Sequence, residues 1–164
     1  MNKKELLSPV GSMSAMYQAI HNGADAIYLA GKMYGARSYA PNFTNEELIY
    51  VIKYAHLYDV KVYITVNTLI HDSEIEDALK YVKFLYENNV DALIVQDVGF
   101  TDLIHQKFPG LELHASTQMN NVNESACEFV KKLGCKRIVL AREMSLDEIK
   151  KINTDVEIEI FIHG

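Results

Sequence analysis

Short apolar runs alternate along this chain with longer stretches whose apolar residues recur every third or fourth position. The first kind reads as buried strand, the second as amphipathic helix. Leu48, Val51, Ile52 and Ala55 share one helical face, as do Ala78, Leu79, Val82, Leu85 and Tyr86. The apolar runs predict strands at 6–7, 26–29, 62–66, 93–95, 111–115, 138–140 and 156–162.

The punctuation between these elements repeats as well. Asn22-Gly23-Ala24-Asp25, Tyr58-Asp59-Val60-Lys61, Asn88-Asn89-Val90-Asp91 and Leu133-Gly134-Cys135-Lys136 each close a helix and lead into a strand. Gly23 and Gly134 suit a left-handed helix cap, and Asn88 or Asn89 can serve in the same way. Thr44-Asn45-Glu46-Glu47, Ser73-Glu74-Ile75-Glu76 and Ser145-Leu146-Asp147-Glu148 read as capping boxes that open helices. Ser12 or Ser14 opens the first helix, Asn123 the fifth, and Pro109 closes the fourth.

Seven strands alternating with six helices predict a parallel sheet with right-handed crossovers, an α/β fold. No linker or charge block divides residues 1–164, so they form one domain. Two architectures compete. A doubly wound sheet places a glycine-rich phosphate loop after its first strand, and Ser8-Pro9-Val10-Gly11-Ser12 is not one. A TIM barrel gathers polar residues at the C-terminal ends of many strands, which this chain does repeatedly. The expectation is an incomplete (β/α) TIM-like barrel. Its last run, Ile160-Phe161-Ile162, reads as a core strand with no helix after it, so further machinery is expected past Gly164.

Composition narrows the function classes. The net charge of −6 argues against a broad basic face for nucleic acid but not against a local basic pocket. There is no apolar run of membrane-spanning length and no leader-like start, so no membrane partner is expected and the cytoplasm is the default compartment. Cys127 and Cys135 have no CxxC spacing and read as structural thiols, with no metal ligands predicted.

The strand ends hold the candidate chemistry. His114-Ala115-Ser116-Thr117-Gln118-Met119-Asn120 is the densest polar run and suits a polar ligand. His114 and His163 are candidate acid–base groups, because imidazole titrates near neutrality. Arg37 and Arg142 are candidate clamps for a carboxylate or phosphate, through their forked donors. Asn67, Gln96, Ser116, Thr117, Gln118, Asn120 and Glu143 complete the substrate-binding set. Each also has a plain structural role open to it: a hydrogen-bonded core histidine, an ion pair, or a solvated loop.

Several motifs together resemble the collagenase-like peptidase family, the thirty-second family of peptidases of unknown catalytic type. They are Glu5-Leu6-Leu7-Ser8-Pro9-Val10-Gly11, Gly23-Ala24-Asp25-Ala26-Ile27-Tyr28-Leu29-Ala30-Gly31, Tyr34-Gly35-Ala36-Arg37 and Asn42-Phe43-Thr44. Val62-Tyr63-Ile64-Thr65-Val66-Asn67, Asp91-Ala92-Leu93-Ile94-Val95-Gln96-Asp97, the His114 run, Leu140-Ala141-Arg142-Glu143 and Phe161-Ile162-His163-Gly164 extend the match over essentially the whole chain. Ser8 and Val10 stand where the family usually has alanine. The resemblance implies an N-terminal TIM-like barrel. It also implies either the hydrolase activity of the family label or the oxygen-independent hydroxylation of tRNA or rRNA bases, or of ubiquinone precursors, with prephenate as an anionic oxygen donor. An iron–sulfur cluster is implied in the full-length protein, its first cysteine following the His-Gly motif; neither Cys127 nor Cys135 matches those ligands, and these residues alone are expected to bind none. Three readings therefore stand: the barrel of an RNA-base or planar-substrate hydroxylase, a peptidase, and a non-catalytic truncated barrel that survives as an oligomer or with a complementing C-terminal half.

Overall fold

The computed structural model describes residues 4–36 and 42–163. Within them the seven strands are β1 (Leu7–Pro9), β2 (Ala26–Ala30), β3 (Lys61–Val66), β4 (Ala92–Val95), β5 (Glu112–Ala115), β6 (Arg137–Val139) and β7 (Glu157–Glu159). The six α-helices are α1 (Met13–His21), α2 (Asn45–His56), α3 (Ile75–Glu87), α4 (Val98–Lys107), α5 (Glu124–Lys132) and α6 (Leu146–Ile149). Every strand pairs in parallel with the next in sequence, in the order β1 to β7. A doubly wound sheet reverses its strand order at a switch point. This sheet never reverses, so the barrel-type reading holds.

The helix starts follow their side chains. Ser12 Oγ accepts the Ala15 N–H at 3.2 Å, and Asn123 Oδ1 accepts that of Ala126 at 2.9 Å. Thr44 and Glu47 close a reciprocal capping box, as do Ser145 and Glu148. The box expected at Ser73 forms two residues earlier: the His71 N–H donates to Glu74 Oε2 at 2.9 Å, and a 3₁₀ turn over Asp72–Glu74 precedes α3. An acidic residue three positions downstream closes such a box from either start. The left-handed positions at the helix ends are Gly23, Asp59, Asn89 and Gly134.

The two faces of the sheet bury different things. Ile27, Leu29, Val62, Ile64, Leu93, Val95, Leu113 and Ile138 point outward and pack against the helices in the main core. The alternate residues Ala26, Tyr63, Ala92 and Ile94 point inward with Leu7 and Tyr28. Period-2 alternation thus separates a helix-covered face from a barrel interior.

The interior floor is charged. Arg137 of β6 donates through Nη1 to Glu5 at 2.6 Å and through Nε and Nη2 to Glu157 at 3.0 and 2.8 Å. The Tyr63 hydroxyl donates to Glu5 Oε1 at 2.8 Å, and the guanidinium sits 5.4 Å from the Tyr63 ring centroid. Glu5 precedes β1, and Arg137 lies five strands away. In a flat sheet that separation would be about 24 Å. The contact requires the sheet to curl on itself.

One expectation is corrected. The run Ile160-Phe161-Ile162 is not a core strand: β7 ends at Glu159, and Ile162 is 83% exposed. The reason is position, since β7 is the last strand of the sheet and its outer face meets no described helix.

Two consequences can be measured. Arg137→Leu removes the buried cation of the floor and leaves Glu5 only the more exposed Lys61, whose Nζ lies 3.3 Å from Glu5 Oε2, so urea unfolding at pH 7 should show a loss of about 3 kcal/mol, the low end for a broken buried pair; a loss below about 1 kcal/mol, typical of a surface pair, would contradict the floor's role. The pH dependence has a definite sign. Burial raises the Glu5 pKa, but the bonds from Arg137 and Tyr63 outweigh it and hold the carboxyl below its ordinary range. Its stabilisation is therefore present above the ordinary carboxylate pKa and lost as pH falls through the lowered folded value. Glu5→Gln should reduce that acid-side loss.

Cys127 and Cys135 are both buried. Burial pushes the Cys127 thiol up and the Cys135 thiol up to about 12. A thiol that is not ionised is a poor nucleophile. Native protein at pH 8 should react with a disulfide reagent only as fast as it unfolds, and both thiols should titrate at once in denaturant. Rapid stoichiometric reaction of folded protein would contradict this.

Candidate functional site

The C-terminal ends of the strands open into a cavity of about 320 Å³. That is within the ordinary size range of small-molecule sites. Its walls include Pro9, Tyr28, Phe43, Ile94, Val139 and Phe161, and its polar groups include Asn42, Thr65, Asn67, Ser116, Thr117, Gln118, Arg142 and Glu159. The strand register explains the gathering. Ala30, Thr65 and Ile94 align across β2 to β4, and Val139 aligns with Glu159 across β6 and β7.

The loop after β2 folds back to make one wall. The Phe43 N–H donates to Ala30 O at 3.1 Å, and the Lys32 N–H donates to Phe43 O at 3.2 Å. At Gly31 the Tyr81 hydroxyl of α3 comes close to the backbone, and a Cβ there would collide with it. Asn67 Oδ1 accepts the Ala36 N–H at 3.1 Å, which ties the same loop to the end of β3.

The 3₁₀ turn after β5 shapes the opposite wall. Ser116 Oγ accepts the Gln118 N–H at 3.3 Å, and the Thr117 hydroxyl donates to Leu140 O at 3.3 Å. Asn120 ends the turn in the left-handed region at φ 55°. Arg142 follows β6, and its guanidinium lies 4.3 Å from the Phe161 ring centroid, so cation and ring form one edge of the cavity.

The structure separates the sequence candidates. Asn67, Ser116, Thr117, Gln118 and Arg142 come together around the cavity. His114 does not line it. Its ring is fully buried below, edge-on to Tyr63 at 4.7 Å, with Nε2 2.8 Å from Glu112 Oε1. Its Nδ1 has no hydrogen-bond partner among the described residues. His163 lies in a neighbouring depression with Met144, Leu146 and Ile160. Gln96, Asn120 and Glu143 do not line the cavity. Asp97, beside Gln96, is spent on structure: it caps α4 through the Phe100 N–H at 2.8 Å and accepts the Ile70 N–H at 3.2 Å. Arg37 lies outside the described residues.

Thr65, a polar residue at the end of β3, is legible from the sequence, whereas Glu159, Tyr28 and Phe161 were missed. A signal for Glu159 and Tyr28 was present. Each sits at the inward phase of its strand, as Glu159 alternates with Ile158 and Tyr28 with Ile27 and Leu29. Phe161 lies past the end of β7, where the alternation gives no guide.

The iron–sulfur cluster implied by the resemblance does not fit the residues present. A cluster needs several converging thiolates. Cys127 sits in α5 and Cys135 in the turn before β6, both sealed and held as thiols. Among the described residues no group of three or more His, Cys, Asp or Glu side chains could hold a metal ion.

Comparison with known proteins is consistent over the whole length. The 23S rRNA 5-hydroxycytidine C2501 synthase of Escherichia coli is 42% identical, aligned over 99% of this chain and 25% of that protein. The tRNA hydroxylation protein P1 of Bacillus subtilis is 40% identical over 99% of this chain and 39% of its own length. The uncharacterized protease MJ0090 of Methanocaldococcus jannaschii is 40% identical over 98% and 40%. The chain thus spans between a quarter and two-fifths of the length of these relatives. The solved structure of the U32 peptidase Mk0906 superposes with a TM-score of 0.77 at 14% identity, covering 96% of this chain and 67% of that one. The YdjI aldolase of Escherichia coli superposes at 0.63 and 12% identity over 95% of this chain and 64% of that one, and shares the fold alone. The family model of peptidase family U32 matches residues 11–164, and the chain, barrel and strand-end motifs included, belongs to that family.

Proposed function

We propose that this barrel belongs to an RNA-modifying protein and receives an RNA base in the cavity at its strand ends, for oxygen-independent hydroxylation. The observation that carries this reading is whole-chain identity of 42% and 40% with proteins named for hydroxylation of rRNA and tRNA, in a stretch that includes every cavity residue. The cavity chemistry suits the role. Flat apolar and aromatic walls at Tyr28, Phe43 and Phe161 can hold a planar ring, and the amide and hydroxyl groups of Asn67, Ser116, Thr117 and Gln118 can bond its edges. Unstacked bases are held in this way, between aromatic or guanidinium planes.

Arg142 supplies the guanidinium of the described cavity. It is assigned to an anionic group, either an RNA phosphate or a prephenate-like carboxylate donor. Redox chemistry of an iron–sulfur kind would have to come from other residues, so the part assigned to this chain is binding and orientation. The net charge of −6 fits a protein that grips one nucleotide in a local pocket better than one that tracks along a backbone. A cytoplasmic location follows from this reading, since the RNA substrates are there. Peptide hydrolysis has less support. Ser116 Oγ is engaged by the Gln118 N–H, and His114, the nearest imidazole in sequence, is turned to Glu112. No hydroxyl–imidazole pair of the kind that activates a nucleophile lines the cavity among the described residues.

The test is genetic and chemical. Deleting the gene should remove one hydroxylated nucleoside from digested rRNA or tRNA, as read by mass spectrometry. Re-expressing the natural-length protein should restore it. Arg142→Ala should restore about a tenth or less, because a charge-assisted contact is worth roughly 1.5–3 kcal/mol. An unchanged nucleoside profile in the deletion strain would contradict the proposed function.

A further inference from the structure

Glu159 is the one carboxylate among the described cavity-lining residues, and its surroundings set its chemistry. Its side chain is 18% exposed. The cation beside it, Arg137, gives its short bonds to Glu5 and Glu157, and only a 3.5 Å contact from Nη1 reaches Glu159. One guanidinium therefore meets three carboxylates, and the third receives the weakest compensation for its burial. Burial pushes the Glu159 carboxyl above the ordinary range; His114 and Arg137 pull it down without cancelling this, and the negative Glu5 adds to the rise. The charged or titratable groups facing it are His114 from β5, Arg137 from β6, Glu5 from before β1 and Glu157 on its own strand, with Arg142 on the same cavity.

A carboxyl that keeps its proton presents an O–H donor and a C=O acceptor side by side. The Watson–Crick edge of an unpaired base presents the complementary pattern: an N3–H beside O4 in uracil, or an unprotonated N3 beside an amino group in cytosine. We propose that Glu159 recognises the base, pairing its carboxyl O–H and C=O with an adjacent donor and acceptor on the Watson–Crick edge. This rests on the reading of the cavity as a base site. It narrows the substrate class to a nucleotide whose Watson–Crick edge is free, in a loop or flipped out of a helix, because a paired edge has no room for a second partner. Glutamine carries the same donor and acceptor in the same shape and should replace Glu159 in recognition. Alanine should not.

The test uses the natural-length protein with short oligouridylate and oligocytidylate and their N3-methylated counterparts, with affinity read by fluorescence anisotropy. For the wild type, N3 methylation should weaken binding about tenfold or more, the scale of a lost buried hydrogen-bond pair. Glu159→Gln should bind unmodified RNA within about twofold of the wild type, and Glu159→Ala about tenfold more weakly. The pH profile has a fixed sign: wild-type affinity falls as pH rises through the Glu159 pKa, and the Gln variant stays level. Should the Ala variant not fold, the N3-methyl discrimination and the contrast between wild-type and Gln pH profiles decide the matter. Normal RNA binding with N3 methylation tolerated, or with identical pH profiles for wild type and Gln, would overturn the assignment and leave the base site standing. No RNA binding by the wild type would overturn both.

Discussion

The curl of the sheet depends on one buried guanidinium. Arg137 links Glu5, ahead of the first strand, to Glu157 on the last, so the two margins of the seven-strand sheet are tied through its interior. Packing on the outer face alone would permit many curvatures, since the helices could follow a flatter or a tighter sheet. A charged contact needs a particular distance and direction. Buried ion pairs contribute little net stability against an apolar alternative, but an unpaired partner is costly. The Arg137 network therefore acts chiefly as a geometric specification. Tyr63 strengthens it by donating to Glu5 while its ring faces the guanidinium.

That specification also positions the mouth. The same strands that carry the ionic floor carry the cavity residues at their C-terminal ends: Thr65 above Tyr63, Ser116 above His114, Val139 above Arg137 and Glu159 above Glu157. Each pair is two residues apart, so both members point inward. A shift of one residue in any strand would move both layers to the helix side at once. Floor and site are thus fixed by one register. The floor consumes the available positive charge, which leaves Arg142 as the cation facing the described cavity and leaves Glu159 with little compensation.

Much of the fold was legible in the sequence because the repeat is local. Helix caps at Ser12, Thr44, Asn123 and Ser145, and left-handed positions at Gly23, Asn89 and Gly134, are dictated by near neighbours in the chain. Asp59 was not singled out, although aspartate tolerates the same backbone region. The site was legible only in part. Loop residues such as Asn67, Thr117 and Arg142 announced themselves as polar interruptions after apolar strands. His114 did so too and lies elsewhere, because a polar residue at an inward strand position can serve the floor as readily as the mouth. Which layer it joins depends on register with strands far away in sequence, here Ile94 on one side and Arg137 on the other. Glu159 was passed over for a different reason: it lies in the segment 156–162 that reads as a strand, where its alternation with Ile158 gives the phase but only the pairing with Val139 places it at the mouth.

Entry of an RNA base at the strand ends can be observed by photocrosslinking. Single-stranded RNA carrying 4-thiouridine would be bound to the natural-length protein and irradiated, and the crosslinked peptides identified by mass spectrometry. Adducts within this barrel are expected on the peptides that contain Tyr28, Asn67, Ser116 to Gln118, and Arg142. Barrel adducts confined to the outer helix faces or to the floor around Glu5 and Arg137 would contradict entry at the strand ends.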